Sequence, residues 1–243
     1  MFEEHFEVFL ADTDESRRIH YNIRYQVYCE EMGFENKEDF PNKEERDEYD
    51  DHSRHFIVRH KHTCAWVGAM RLILKKDSPL PLEKNCTLNE TIENPVDCKS
   101  VELSRLCLIK EIRRRSTDNE PPLGLSSEES VQTIYHDTDK VRLFHKHRKN
   151  PNIIWGLLHA ATDYGRQNNI KHCFFLTTNA LARVLRKGGL TMHTIGSPYF
   201  HKGERFPFRM DVNEVCRKEI WRNYTASYRL YSELETVRID IAA

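Results

Sequence analysis

The sequence predicts a mixed α/β domain built around one sheet, partly antiparallel and partly parallel. Three observations carry that expectation. The apolar patterning runs strand, helix, strands, then helix, strand, helix and strands. The early strands are joined by a hairpin and the later ones by helices, so the strand direction changes within the sheet. The stretch Val101-Glu102-Leu103-Ser104-Arg105-Leu106-Cys107-Leu108-Ile109 reads as a buried strand near the middle, apolar and free of Gly and Pro.

Phe6, Val8 and Leu10 alternate with their neighbours and give a first strand. Asp12 and Glu15 have capping-box spacing for the helix that follows, whose stripe is Ile19, Ile23 and Val27. Arg24 and Tyr28 lie four apart on a neighbouring face, and the helix runs out near Gly33. Residues 35–54 are highly charged and read as a solvated loop, with two exceptions. Asp47 and Asp50, three apart, face the same way on one helical turn. Residues 55–60 and 63–74 form a hairpin with its turn near Lys61-His62, and Val67, Ala69, Arg71 and Ile73 share one face. Gly68 in mid-strand marks a bulge or a close backbone approach. Residues 76–99, with Pro79, Pro81 and Pro95, are a loop holding one short helical turn.

Past the Glu102 strand, residues 111–150 are polar and poorly patterned, a mobile insertion. The core pattern resumes afterwards, so residues 1–243 are read as a single domain. Asn150-Pro151 is a helix start, and Ile154, Leu157, Leu158, Ala161 and Tyr164 give the apolar stripe. Residues 173–177 are a buried strand. Asn179 caps a short helix with Leu181, Val184 and Leu185 inward, ending at Gly188-Gly189. Residues 191–200 and 206–212 are strand-like, and residues 213–221 and 224–235 helical.

The chain has 243 residues, 39% of them hydrophobic, enough to bury a sizeable core. Its net charge of -1 gives no general case for nucleic acid or an anionic membrane. No apolar run approaches the ~18 residues of a membrane span, and residues 1–5 lack the pattern of a signal peptide. Seven scattered cysteines, an odd number, do not form a disulfide framework and fit a reducing cytoplasm.

Charges in a core strand are costly unless paired or used. Glu102 and Arg105 are such charges, and Arg24, Asp47, Asp50 and Arg71 have similarly apolar settings. The expectation is that all six converge on one cleft floored by the Glu102 strand. They can form a structural ion cluster, a substrate site, or both. Strand parity places Glu102 and Arg105 on opposite faces unless a bulge falls between them.

These residues resemble a known family. Ile23-Arg24-Tyr25-Gln26-Val27-Tyr28-Cys29-Glu30-Glu31-Met32-Gly33-Phe34 is similar to the first helix of acyl-homoserine-lactone synthases. Asp47-Glu48-Tyr49-Asp50, Met70-Arg71-Leu72 and Glu102-Leu103-Ser104-Arg105 resemble their D-x-x-D, RL and E-x-S-R segments. The later run Pro198-Tyr199-Phe200-His201-Lys202-Gly203-Glu204-Arg205-Phe206-Pro207-Phe208 resembles the N-acyl amino acid synthases, including those associated with exosortase systems. The resemblance implies a GNAT-type N-acyltransferase fold, a mixed central sheet flanked by helices. It implies transfer of a fatty acyl group from acyl carrier protein, as a phosphopantetheine thioester, to the α-amine of an amino acid, with no permanently bound cofactor and no metal. On it, Glu102 and Arg105 are expected to be catalytic, and Arg24, Tyr28, Phe34, Asp47, Asp50, Arg71 and Ser104 to bind substrate. Family members of this type also carry a bulge in the strand. Phe34 stands where lactone synthases usually have Trp, and Tyr28 where they have Phe. The Gly-rich diphosphate loop of acetyl-CoA-using relatives is replaced by Lys110-Glu111-Ile112-Arg113-Arg114-Arg115, which favours a carrier-protein donor.

The chemistry needs few groups. A free α-amine has a pKa of about 8 and must lose a proton to attack, so one carboxylate base suffices. Glu102 is the candidate, its pKa raised by burial and lowered again by Arg71 or Arg105. Arg71 or Arg105 is expected to grip the acceptor carboxylate. Freed backbone N–H groups at a splayed or bulged strand serve the oxyanion. Lys110, Arg113, Arg114 and Arg115 form a basic patch suited to docking the acidic carrier protein, and a second basic run spans residues 140–149. Leu157, Phe174, Leu176 and Leu181 are candidates for an acyl tunnel, against the plain alternative of core packing. His52, His55, His60, His62 and Cys64 have no standard zinc spacing. Two other readings stay open: a lactone synthase using S-adenosylmethionine, and a non-catalytic domain that binds a carrier protein or lipid.

Overall fold

The computed structural model describes residues 2–96, 99–112, 152–224 and 227–234. A helical turn, α1 (Phe2–His5), leads into β1 (Phe6–Leu10) and then α2 (Asp14–Tyr25). The cap of α2 is Thr13, not Asp12. The Thr13 hydroxyl accepts from the Ser16 amide and Ser16 Oγ accepts from the Thr13 amide, a capping box one register on from the expected pair. Asp12 is engaged elsewhere, accepting from Ser232 N and Oγ. Beyond Tyr25 the helix widens into a π-turn over Gln26–Glu31 and ends at Gly33, whose φ of +61° suits a residue without Cβ.

β2 (Ser53–His60) and β3 (Trp66–Leu74) form the expected hairpin. Gly68 serves both expected purposes. A bulge in the β2–β3 pairing falls beside it, and a Cβ there would lie 2.6 Å from Leu108 Cδ2 and 3.1 Å from the Cys107 carbonyl oxygen. After α3 (Pro81–Asn85), β4 (Lys99–Leu108) pairs antiparallel with β3. α4 (Asn152–Gln167) then crosses to β5 (Ile170–Thr177), parallel to β4. α5 (Asn179–Lys187) is capped by Thr178, and Val184 is 45% exposed rather than inward because only Ala182 and Leu185 fall on the buried face.

The strand-like tail resolves into β6 (His193–Thr194), β7 (Tyr199–Phe200) and β8 (Glu204–Asp211). The expected helix over 213–221 is two pieces, α6 (Val212–Cys216) and a 3-10 turn, Glu219–Asn223. The helix expected over 224–235 is corrected. Arg229–Leu230 is a strand, β9, parallel to β1, and among the described residues of this stretch helical backbone is confined to 231–234. Tyr231, buried against Phe9 and Trp66, draws this segment to the sheet edge.

The strands form one mixed sheet in the order β6-β8-β5-β4-β3-β2-β1-β9, with β7 paired to β8. Helices cover both faces. Arg71 on β3 meets the carboxylates that bind α2, whereas its neighbour Leu72 faces α4 beside Leu158 and Ala161. Among the described residues no helix is long and apolar enough to cross a membrane. Of the expected insertion at 111–150, residues 113–150 lie outside the described residues, with its basic run and Arg113, Arg114 and Arg115.

Candidate active site

The site begins with a change of register. Arg71 pairs with Ser104 but Ala69 with Cys107, so β4 carries one extra residue against β3. Arg105 sits in that bulge with φ +52°, a conformation that costs energy for any residue but Gly. The bulge cancels the parity problem. Glu102 and Ser104 already share the α2 face, and the extra residue turns Arg105 to it as well. On the other side β4 and β5 pair only as far as Leu103 and Phe175, although β4 continues to Leu108 and β5 to Thr177. The parallel strands part there, and a cavity of about 410 Å³ opens between them.

Arg24, fully buried at 0% exposure, bonds Glu45 and donates from Nη1 to Asp50 Oδ1 at 2.6 Å. Arg71 donates from Nη1 to Asp47 Oδ1 and Asp50 Oδ1 at 2.6 and 2.7 Å, from Nη2 to Asp47 Oδ2 at 3.0 Å, and from Nε to Ser104 Oγ at 3.0 Å. Arg105 reaches Glu45 Oε1 at 3.0 Å and Asp47 Oδ2 at 3.2 Å. His55 Nε2 lies 3.1 Å from Asp50 Oδ1. Burial raises the pKa of Asp50, but His55, Arg24 and Arg71 outweigh it and hold the carboxyl well below the usual range. Glu45 is held low in the same way by Arg24 and Arg105.

The charged residues picked out in the sequence thus divide in two. Arg24 and Asp50 are buried, bond each other and are not among the residues lining the cavity. Tyr28, Phe34, Asp47, Arg71, Glu102, Ser104 and Arg105 all line the cavity. Arg71 and Arg105 do not offer the expected free grip for a carboxylate, because Asp47, Asp50 and Glu45 already occupy their forks. Tyr28 lies under Arg105, with the guanidinium carbon 5.6 Å from the ring centre, and burial raises its phenol pKa.

Glu102 is different from the other carboxylates. It is 4% exposed and, among the described residues, accepts a single hydrogen bond, from the Leu82 amide at 2.9 Å. Burial pushes its pKa up to about 8, and the Leu82 amide and Arg71 offset only part of that. Phe174 and Leu157, expected in a tunnel, pack in the core instead, one step out of phase on their strand and helix. Leu158 and Phe175 line the cavity in their place, with the expected Leu176 and Leu181. Cys107 and Cys173 are buried, and burial pushes both thiols up to about 12, which leaves no thiolate to act as a nucleophile. Among the described residues no group of His, Cys, Asp and Glu is placed to hold a metal ion.

Several site residues escaped the sequence reading. Glu45, 1% exposed, was absorbed into the solvated charge run. Its signal was period two: Glu45 and Asp47 reach Arg105, while Arg46 between them turns away to lie 4.8 Å from the Tyr21 ring centre. Tyr199, His201, Lys202 and Arg205, from the β7–β8 hairpin, also line the cavity. Lys202 bonds the Phe34 carbonyl oxygen and pairs with Glu35 at 2.8 Å, pinning this hairpin over the end of the π-turn. Lys110 is exposed, its amide donating to Glu31 Oε1 at 3.0 Å.

Residues 23–119 match the sequence pattern described as "Acetyltransferase (GNAT) domain". No curated protein sequence matches the chain. Among solved structures, TofI in a ternary complex with an inhibitor and MTA is similar at TM-score 0.54 and 18% identity, covering 85% of this chain and 91% of that one. BjaI, a CoA-dependent acyl-homoserine lactone synthase with SAM and isopentyl-CoA, gives TM-score 0.58 and 13% identity over 93% of this chain and 92% of that one. FeeM, an N-acyl amino acid synthase from uncultured soil microbes, gives TM-score 0.51 and 10% identity over 90% and 97%. Residues 23–119 thus match the GNAT acetyltransferase pattern, and the chain as a whole has the fold of these synthases.

Proposed function

We propose that the chain moves a long-chain acyl group from the thioester of an acyl carrier protein to the α-amine of an amino acid. The observation that carries this reading is Glu102, a buried carboxyl with its pKa raised to about 8, at the cavity where β4 and β5 part. A base with that pKa matches the ~8 of the amine it must deprotonate. In the proposed step the amine nitrogen bonds to the thioester carbon, and Glu102 takes the amine proton directly or through one water. The C–S bond then breaks and the thiolate leaves as the protonated thiol. Backbone amides of β4 beyond Leu103, where pairing with β5 has ended, are suited to hold the oxyanion. Leu158, Phe175, Leu176, Leu181 and Leu185 offer the acyl chain an apolar wall. The donor assignment is supported by the sequence after β4, residues 109–115, which contains no Gly to form a diphosphate cradle.

A second reading is synthesis of an acyl-homoserine lactone from S-adenosylmethionine. Its support is the shared placement of Asp47, Arg71, Glu102 and Arg105 on one side of the cavity, in the order in which the resembling motifs occur. Mass spectrometry of lipid extracts from bacteria expressing the chain, beside Glu102→Gln, separates the two. N-acyl amino acids present only with the wild type are the expected result. A lactone instead would establish the second reading. No new lipid from folded protein supplied with long-chain acyl carrier protein and amino acids would overturn both.

A further inference from the structure

The cavity-lining cations of the described residues are not equivalent. Arg71 is paired with Asp47 and Asp50, Arg105 with Glu45 and Asp47, and Lys202 with Glu35. Arg205 is the exception. Its Nε donates to the His201 carbonyl oxygen at 2.9 Å, within its own hairpin, and its two terminal amino groups meet no carboxylate among the described residues. The side chain is half-buried and lines the same cavity as Glu102. The bond from Nε fixes the orientation of the guanidinium plane while its outer edge stays open.

A guanidinium held in place and left without a counter-charge is a receptor for an anion, and its fork matches a carboxylate in a bidentate pair. Arg71 and Arg105 cannot take that part without releasing Asp47, Asp50 or Glu45, which are themselves buried or half-buried. We infer that Arg205 is the residue that grips the α-carboxylate of the acceptor and thereby selects amino acids over simple amines. This rests on the reading of the chain as an amino acid N-acyltransferase. The β7–β8 hairpin is then the element that sets acceptor class, and Lys202, tied to Phe34 and Glu35, is what holds it in place.

The test is isothermal titration of N-dodecanoylglycine and of N-dodecanoylglycinamide into wild type, Arg205→Gln and Arg205→Lys. Wild type is expected to bind the carboxylate about 10- to 100-fold more tightly than the amide, the range for a charge-assisted pair. Arg205→Gln should bring that ratio close to one while leaving affinity for the amide unchanged, and Arg205→Lys should restore part of it. An unchanged ratio in Arg205→Gln, or equal weakening of both ligands, would overturn the inference. A parallel titration with dodecanoyl-pantetheine and dodecanoyl-4′-phosphopantetheine covers the other anion that enters such a site. If Arg205→Gln erases discrimination there instead, the residue serves the donor phosphate and the acceptor assignment falls. Binding is read without turnover, so a chain that fails to acylate amino acids but keeps an Arg205-dependent carboxylate preference would sink the proposed function alone.

Discussion

At the scale of single residues, Glu102 on β4 and Asp50 in the turn before β2 show one site giving two carboxyls opposite characters. Asp50 accepts from Arg24 and Arg71, while Glu102 accepts one backbone amide and is otherwise buried. Glu102 as base makes turnover rise with pH until it levels above about pH 8, which a pH series of initial rates checks. The same shift has a stability consequence. Unfolded, Glu102 titrates near ~4.3. Folded, it keeps its proton up to about 8, so the native state loses stability as pH rises between those values. Glu102→Gln, whose amide oxygen can still accept from Leu82, should therefore abolish turnover and raise the melting temperature more at pH 9 than at pH 5. Equal shifts at both pH values would count against the raised pKa.

At the scale of elements, the bulge in β4 is the decisive device, and it illustrates what a sequence conceals. The strand itself was legible from Val101 to Ile109, and so was the conflict between Glu102 and Arg105. The bulge came from family resemblance, because an extra residue leaves no mark in apolar periodicity. The segment around Glu45 was hidden for a related reason. Residues 44–47 carry no regular secondary structure and lie between two turns, so the pattern of a charge run covered the alternation of Glu45 and Asp47 toward Arg105. β9 was misread as helix because two residues of strand are too few to outweigh the helical pattern around them. Gly68 is where the element scale can be tested. Gly68→Val puts a side chain against Leu108 and the Cys107 carbonyl, immediately beyond the bulge. A loss of about 1–3 kcal/mol in urea unfolding is expected from overpacking, with a further drop in turnover as β4 shifts.

At the scale of the molecule, the ion cluster ties together α2, the 45–50 segment, β3 and β4. Removing one member leaves buried carboxylates with fewer counter-charges. Arg24→Met, which takes one guanidinium from both Glu45 and Asp50 and leaves them Arg105 and Arg71, should cost on the order of 3–5 kcal/mol in denaturant unfolding; a cost under 1 kcal/mol would mean that water reaches the cluster. The carboxyls held low by the arginines work in the acid range. Their stabilisation is complete above the unfolded value of about 4 and disappears as pH falls through the lower folded values. Acid unfolding followed by circular dichroism should accordingly begin below about pH 4 and be cooperative across helix and sheet.

The clasp of β9 on β1 has a consequence in time as well as in space. β1 finds its first neighbour, β2, within the next fifty or so residues of synthesis, on the order of several seconds at ~5–20 residues per second. Its other edge waits for Arg229–Leu230, and the bonds from Ser232 to Asp12 join positions 220 apart. For roughly 10–45 s at that rate the nascent chain carries an open strand of Phe6, Val8 and Phe9, a template for wrong partners that natural sheets otherwise keep covered. The ribosome-bound chain is thus most exposed to aggregation at β1 until β9 has been made.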